Sequence, residues 1–329
     1  MTTPAQDPPH FDVLTMGRVG VDLYPSKVGV PLAQIDVFHK FLGGTATNVA
    51  VAAARHGRHS AVITRTGADP MGEFVHDALR GFGVDDRYVS AVADLPTPIV
   101  FCELFPPDHF PIYFYRYPRA PDVVIRAEEL DLDAIAAAEV FWVTGTGLSV
   151  EPSRTATLTA LAHRAATAAE RGAQVLTVLD LDFRPDQWPD LTQTRAVYQQ
   201  ALRHVTVAVG NRTEVEVAVG TDEPAAAAAA LLDLGVRLAV VKQGPAGTLA
   251  RDADGNRVEV APVPVEVVNG LGAGDAFGGA LCHGLLAGWP LAQTVTFANA
   301  AGAYNAGQLA CSSAMPTTAQ VQAMLAGAS

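Results

Sequence analysis

Cysteine, lysine and long apolar runs are what this 329-residue chain has least of. Its three cysteines, Cys102, Cys282 and Cys311, show no paired spacing, which argues against both a disulfide framework and a zinc site. The nine histidines include His56 and His59, but no acid or cysteine stands at ligand spacing beside them, so they read as surface or core residues. No run of 18 apolar residues occurs, and the start, Met1 to His10, is polar and proline-rich without a signal-peptide core. The expectation is a cytoplasmic protein with no membrane partner. Lysine appears only at Lys27, Lys40 and Lys242, and the net charge is −12. Nucleic acid and anionic membranes need a basic footprint and are disfavoured as partners, so any anionic ligand has to be met by local positive groups. A glycine-rich loop ending in Gly-Lys-Ser/Thr is also missing, which excludes a P-loop.

What is present is a hydrophobic content of 49%, enough for a sizeable core, and a regular alternation of short apolar runs with helical segments. Phe11–Arg18 reads as a central strand that opens onto a ligand at Gly17, with Asp22 just after it. A helix follows from Gly43 to about His56, a strand at Ser60–Thr66, and a helix at Met71–Phe82 with Gly83 as its C-terminal cap. Strands are expected at 140–144, 175–181, 206–210 and 238–242. Helices are expected at 153–171, 192–203, 211–219 and 223–234, the last containing six consecutive alanines. A β-meander at 248–260 and three closing helices complete the pattern. This is an α/β architecture with a mainly parallel sheet covered by helices on both faces. Segments around Ile35–Leu42, Pro98–Phe105 and Pro111–Tyr117, rich in aromatics and proline and lacking helices between them, read as a small antiparallel β lid. No linker separates domains, so one catalytic unit over 1–329 is expected, with the lid contributed by about 24–42 and 97–118.

The densest signal is Val267–Gly279, in which two apolar β-formers run into Gly270, Gly272 and Gly274, then Asp275, then the small-residue start of a helix. Glycines allow close approach of the backbone, and the first N–H groups of a helix lack intrahelical partners and can face an anion. An aspartate there repels a phosphate unless it takes the proton of the group that attacks it. On its own, the turn is equally a plain strand-to-helix junction.

Four motifs in order carry a resemblance: Gly43-Gly44 with Asn48, Asn211-Arg212-Thr213-Glu214, Lys242-Gln243-Gly244-Pro245-Ala246-Gly247, and Asn269-Gly270-Leu271-Gly272-Ala273-Gly274-Asp275. Together with Asp22 and Asn299 they span nearly the whole chain, which resembles the ribokinase-like, or PfkB, family of carbohydrate kinases. The resemblance implies the ribokinase-like three-layer fold and ATP-dependent phosphorylation of a sugar hydroxyl. It implies Asp275 as the general base and the backbone of Gly272, Ala273 and Gly274 as the anion hole. Asp22, Gly43, Gly44 and Asn48 would hold the sugar, and Asn211, Lys242, Gly244, Gly247 and Asn299 the nucleotide. Glu214 would organise water around Mg²⁺, a cation that keeps most of its waters. In the family, Asn269 and the loop Ala310–Pro316 fall where a monovalent-cation site is built. Here they depart from the usual pattern, so no potassium requirement carries over.

Within the family, Tyr113-Phe114-Tyr115-Arg116 resembles the aromatic-arginine element of kinases acting on keto-deoxy sugar acids. On a strand Phe114 and Arg116 share a face. Arg184, in Asp180-Leu181-Asp182-Phe183-Arg184-Pro185, is a second candidate for a bidentate carboxylate contact. The expected partners are a small sugar acid and ATP; activity like that of 2-keto-3-deoxygluconate kinase is the next reading, and fructokinase- or ribokinase-like activity on a neutral sugar the third. Dimerisation through the lid strands would cover their edges. A catalytically silent sugar-binding protein on the same fold is disfavoured by the intact Asp275 and Glu214. A nicotinamide enzyme has only Gly145-Thr146-Gly147 to support it, without the third glycine and helix start its fingerprint needs.

Overall fold

Apolar strands alternating with helices bury their faces only by stacking into one sheet between two helical layers, and the chain does so. The computed structural model describes residues 10–172 and 174–327; the polar start, 1–9, on which the expectation of no leader rests, lies outside them. In chain order come β1 (Val13–Met16), β2 (Gly20–Pro25), β3 (Phe38–Gly43), α1 (Thr45–Arg55), β4 (Ser60–Gly67), α2 (Pro70–Gly81), β5 (Val84–Asp85), β6 (Val89–Val92), β7 (Ile99–Cys102) and β8 (Ile112–Tyr115). The middle of the chain forms α3 (Leu132–Ala137), β9 (Val140–Thr144), α4 (Ser153–Arg171), β10 (Leu176–Asp180), α5 (Leu191–Leu202), β11 (Val207–Asn211), α6 (Arg212–Val219), α7 (Pro224–Asp233) and β12 (Leu238–Lys242). Strands β13 (Thr248–Asp252) and β14 (Arg257–Val260) and helices α8 (Ala273–Leu286), α9 (Leu291–Ala306) and α10 (Thr318–Gly327) close it.

The large sheet has the order β14-β13-β12-β11-β10-β9-β1-β4-β5, with β6 also pairing to β4. It is parallel from β12 to β5 and antiparallel only where β13 and β14 fold back. Alternate residues of each strand feed opposite cores. Phe141 and Val143 of β9 join a cluster with Ile135, Leu161, Tyr198 and Leu231, whereas Val140 and Trp142 join one with Val49, Phe277, Leu281 and Phe297. Helices α3 to α7 thus cover one face, and α1, α8, α9 and α10 the other. Local chemistry sets the helix ends. Asp69 and Asp190 accept from the Gly72 and Gln193 N–H groups as N-caps, and Gly83 and Gly172 take left-handed φ just past α2 and α4.

The lid is a separate four-stranded sheet of order β3-β2-β7-β8. Its outer ladders are antiparallel, while the central β2–β7 ladder is parallel, because β7 arrives after a long excursion through α1, β4 and α2. The lid also begins earlier than its composition suggested, at Gly20, so Asp22 sits in a lid strand rather than in the loop after β1.

One contact within the layer of α1, α8, α9 and α10 fixes the geometry of the site. Helices α1 and α8 cross where Gly278 and Gly279 leave no side chains. A Cβ at Gly278 would lie 2.7 Å from the Trp142 ring, and one at Gly279 would overlap Ala52. Gly279→Ala should therefore lower stability by about 1–3 kcal/mol, the usual cost of overpacking. Gly81→Ala, at an open position where a Cβ meets nothing within 4 Å, should leave it nearly unchanged. Urea unfolding of both variants tests this, and equal midpoints would contradict the close packing.

Candidate active site

In a parallel sheet the loops at the carboxyl ends of the strands gather along one edge, where ligands bind. Here the loops after β1 and β10, the starts of α1 and α8, and the inner face of the lid surround a cleft. Asp22, Gly44, Asn48, Phe114, Arg184, Gly272 and Asp275 line it. Seven of the sequence candidates, drawn from widely separated segments, therefore converge.

The N-terminus of α8 forms one wall. Gly272 is its cap in the left-handed region (φ 82°), and a Cβ there would stand 2.7 Å from the Cys311 sulfur, so only glycine is accommodated. The Lys242 ammonium at the end of β12 reaches this turn, since a Cβ on Gly274 would lie 3.2 Å from Nζ. Unpaired helix N–H groups at Ala273 and Gly274 and a lysine thus converge on one anion-accepting spot. Asp275 follows in the first turn, and its Oδ2 accepts a 2.7 Å hydrogen bond from Asn48 Nδ2. Removal from water pushes the Asp275 carboxyl up to about 6; the Asn48 hydrogen bond, Lys242 and Arg18 oppose the rise, and Asp182 adds to it.

The opposite wall comes from the lid and the start of α1. Asp22 on β2 accepts from the Tyr24 hydroxyl at 3.2 Å, and burial pushes its carboxyl up to about 6 against the pull of Arg18. Gly43, at the end of β3, lies against that carboxylate so closely that a Cβ would overlap it, and Gly44 (φ 103°) caps α1 where a Cβ would strike the Arg18 carbonyl. Phe114 on β8 faces inward, as the strand period requires, and its ring lies 5.3 Å from the Arg18 guanidinium carbon. Arg116 shares that inward side but is tied to Asp122 by a buried 2.7 Å ion pair and does not line the cleft. Arg184 does, and its Nε and Nη2 sit 3.1 and 3.0 Å from Asp182 Oδ1.

The nucleotide candidates fall on the neighbouring edge. Asn211 and Glu214 form a capping box at the start of α6: Asn211 Oδ1 accepts from the Glu214 N–H at 3.0 Å, and Glu214 Oε2 from the Asn211 N–H at 2.7 Å. Glu214 is buried beside Lys242 and Asp180, and its charge acts on both. Burial pushes Asp180 well above the ordinary range. Burial alone would lower Lys242, but Asp180 and Glu214 hold its ammonium charged. Gly247 (φ 90°) turns the loop after Lys242 where a Cβ would overlap the Val260 carbonyl, while Gly244 (φ 56°) faces open space. Asn299 on α9 accepts from Thr248 Oγ1 at 2.7 Å and donates to the Val260 and Ala261 carbonyls at 3.4 and 3.3 Å, joining the helix to the meander. Asp180 and Glu214 supply hard oxygen donors that fit a Mg²⁺ ion retaining most of its waters. Among the described residues no group of three or more His, Cys, Asp or Glu side chains is arranged as a complete metal cage.

Arg18, Tyr24, Thr45, Cys311 and the pair Asp180 and Asp182 are the residues that sequence reasoning missed. Two acids flanking a leucine at the end of an apolar strand, and an arginine directly after Gly17, were the available signals. Asn269, buried behind the glycine turn, donates to the Leu309 carbonyl at 2.8 Å and accepts from the Leu271 N–H at 3.0 Å, pinning the loop that carries Cys311.

Residues 11–318 match the family described as pfkB family carbohydrate kinase. Similar proteins include the 5-dehydro-2-deoxygluconokinase of Photobacterium profundum, 33% identical over 95% of this chain and 93% of the relative, and that of Clostridium perfringens, 30% identical over 95% and 92%. Among solved structures, a fructokinase double mutant from Vibrio cholerae with fructose, ADP and potassium ion bound superposes with a TM-score of 0.82 at 26% identity, covering 95% of this chain and 97% of that one. A protein from E. coli described as a ribokinase II, in complex with ATP and Mg²⁺, superposes with a TM-score of 0.86 at 22% identity, covering 96% and 99%. The three-layer fold with its lid is thus ribokinase-like.

The elevated Asp22 carboxyl has a consequence for stability. Its folded value of about 6 exceeds the ordinary 3.8, so between these pH values the folded state holds more protons than the unfolded. Stability contributed by the protonated form is present below pH 4 and lost as pH rises through 6, on the order of 2–3 kcal/mol. Asp22→Asn, which can still accept from Tyr24, should therefore lose less stability than wild type between pH 4.5 and 7. Paired urea titrations at the two pH values measure this, and parallel losses would refute it.

Proposed function

Because the chain belongs to the pfkB family of carbohydrate kinases, we propose that it transfers the terminal phosphoryl group of ATP to the C6 hydroxyl of 5-dehydro-2-deoxy-D-gluconate. That it is a phosphotransferase acting on a sugar hydroxyl follows from family membership and from the kinase-named relatives. The observation that carries the finer reading is the position of Asp275, an ionisable carboxylate between the anion-accepting turn of α8 and a cleft furnished with two arginines. Relatives at about 30% identity named for this substrate support the choice, which would put the reaction in myo-inositol breakdown.

Phosphoryl transfer leaves the protein mainly positioning and charge stabilisation to supply. In this reading Asp275 accepts the proton of the attacking hydroxyl, with Asn48 fixing the orientation of its carboxylate. The N–H groups of Gly272, Ala273 and Gly274 and the Lys242 ammonium oppose the charge that builds on the transferring group. Asp22 and the bare backbone at Gly43 and Gly44 receive sugar hydroxyls, and Phe114 forms an apolar wall. Mg²⁺, when bound, would neutralise phosphate charge, with Glu214 and Asp180 as the acids that orient its water shell. Gly244 and Gly247 let the loop after Lys242 lie against the nucleotide, beside Asn211 and Asn299. Asn269, a neutral amide hydrogen-bonded to Leu309 and Leu271, brings no negative charge to this loop, which supports an enzyme that works without a monovalent cation.

A panel of sugar acids and neutral ketoses in an ADP-release assay tests the substrate. Turnover of a different acid, with none of 5-dehydro-2-deoxygluconate, would replace it. Asp275→Asn should lose roughly 10²- to 10⁴-fold in kcat while still binding ATP. In wild type, kcat/KM should fall below about pH 6, where Asp275 takes up its proton, approaching a tenfold loss per pH unit well below it, and level off above it. A variant with near-normal turnover would remove Asp275 from the chemistry. Replacing K⁺ by Na⁺ or a bulky organic cation should leave kcat within about twofold, an effect smaller than 0.5 kcal/mol; a strict K⁺ requirement would overturn the reading of Asn269.

A further inference from the structure

Arg18 is buried at the floor of the cleft, held by less than its five donors call for. Its Nη2 donates to Thr45 Oγ1 at 2.8 Å and stands 3.5 Å from Asp182 Oδ2. Its Nε–H, sealed from solvent, has no acceptor. Buried donors are nearly always satisfied, and a buried guanidinium without a full partner is costly, so an orphan at the floor of a ligand cleft points to a ligand. The charges agree. Asp182 is the one carboxylate paired to Arg18, and it is shared with Arg184, whose Nη2 is 0.5 Å closer to it. Asp22 and Asp275, the other acids lining the cleft, are hydrogen-bonded to Tyr24 and Asn48 and form no ion pair with either guanidinium. Asp182 is thus shared between two guanidiniums and satisfies neither in full. Phe114 stands over the Arg18 guanidinium from the lid, its ring centroid 5.3 Å from the guanidinium carbon.

We infer that Arg18 is the specificity-determining residue for the carboxylate of the sugar acid, receiving one carboxylate oxygen on its under-partnered guanidinium with Arg184 as the second cation. This deepens the sugar-acid reading given above and rests on it. Arg116, which the sequence pattern suggested for the same task, is already neutralised by Asp122. Arg18 selects acid over neutral sugar because a neutral sugar leaves the orphan donor buried and unmatched.

The test measures kcat/KM for 5-dehydro-2-deoxygluconate and for fructose in wild type, Arg18→Gln and Arg18→Lys, with the KM for ATP alongside. In Arg18→Gln the acid-to-neutral ratio should fall roughly 10- to 150-fold, the worth of a charge-assisted hydrogen bond, while the KM for ATP holds. Arg18→Lys, which keeps the charge but not the fork, should restore part of the ratio. Wild type that uses fructose as well as the acid overturns the sugar-acid reading, and this assignment with it. Wild type that prefers the acid, with Arg18→Gln losing equally on both sugars or losing ATP affinity, overturns the assignment alone. A crystal structure of wild type with the sugar acid decides the matter even if the variants do not fold. A carboxylate oxygen within about 3.2 Å of an Arg18 guanidinium nitrogen supports the inference, and one held by other groups refutes it.

Discussion

The close crossing of α1 on α8 is the constraint on which the site depends. Two glycines of α8 meet Val49, Ala52 and the Trp142 ring without intervening side chains, so the two helix starts are held at one separation. One start carries Gly44 and Asn48 and the other Gly272 and Asp275, and the 2.7 Å hydrogen bond between Asn48 and Asp275 is the visible result. Both helices are capped by left-handed glycines and not by side chains, which leaves their first N–H groups and the space before them for a ligand. Packing at the middle of the helices is thereby converted into geometry at their ends.

Around that pair the chain concentrates charge that a smaller protein could not keep dry. Asp22, Asp180, Asp182, Asp275, Glu214, Arg18, Arg184 and Lys242 sit in or beside one crevice, and their environments drive them apart. Burial alone would raise Asp182, yet Arg184, Arg18 and the hydroxyls of Thr45 and Thr146 hold it below the ordinary range. Asp275 and Asp22, with fewer charge partners, rise to about 6. Carboxyl groups of one chemical type thus divide into a fixed anion and proton-accepting groups by surroundings alone, the condition for acid–base work. Lys242, the only lysine in this region, stays charged because acids surround it.

The fold was largely legible in the sequence because a parallel sheet buried on both faces writes itself as apolar runs separated by helices with caps. The strand expected at 175–181 is observed at Leu176–Asp180, and the helix expected at 153–171 matches α4. The lid was less legible: its strands are short, they come from separated insertions, and β2 is too near β1 to stand out. Among the candidate residues, glycines and the Asp275 turn were readable because their backbone demands are local. Arg18 was not, since its place directly after Gly17 is only a weak signal; its importance comes from Phe114 and Asp182, 96 and 164 residues away. The choice among arginines was also invisible, because strand period puts Arg116 on the inward face but cannot show that Asp122 waits there.

By itself the sequence determined the central parallel strands and the longer helices, and that a helix start bearing an aspartate would meet an anion, because these follow from φ preferences, capping and periodicity within a few residues; the short α3, β5, β6 and β2 carried no such signal. Only the tertiary structure decided which cations face the cleft, which are spent on internal partners, and how strongly Asp275 holds its proton. Those are sums over groups distant in the chain and close in space.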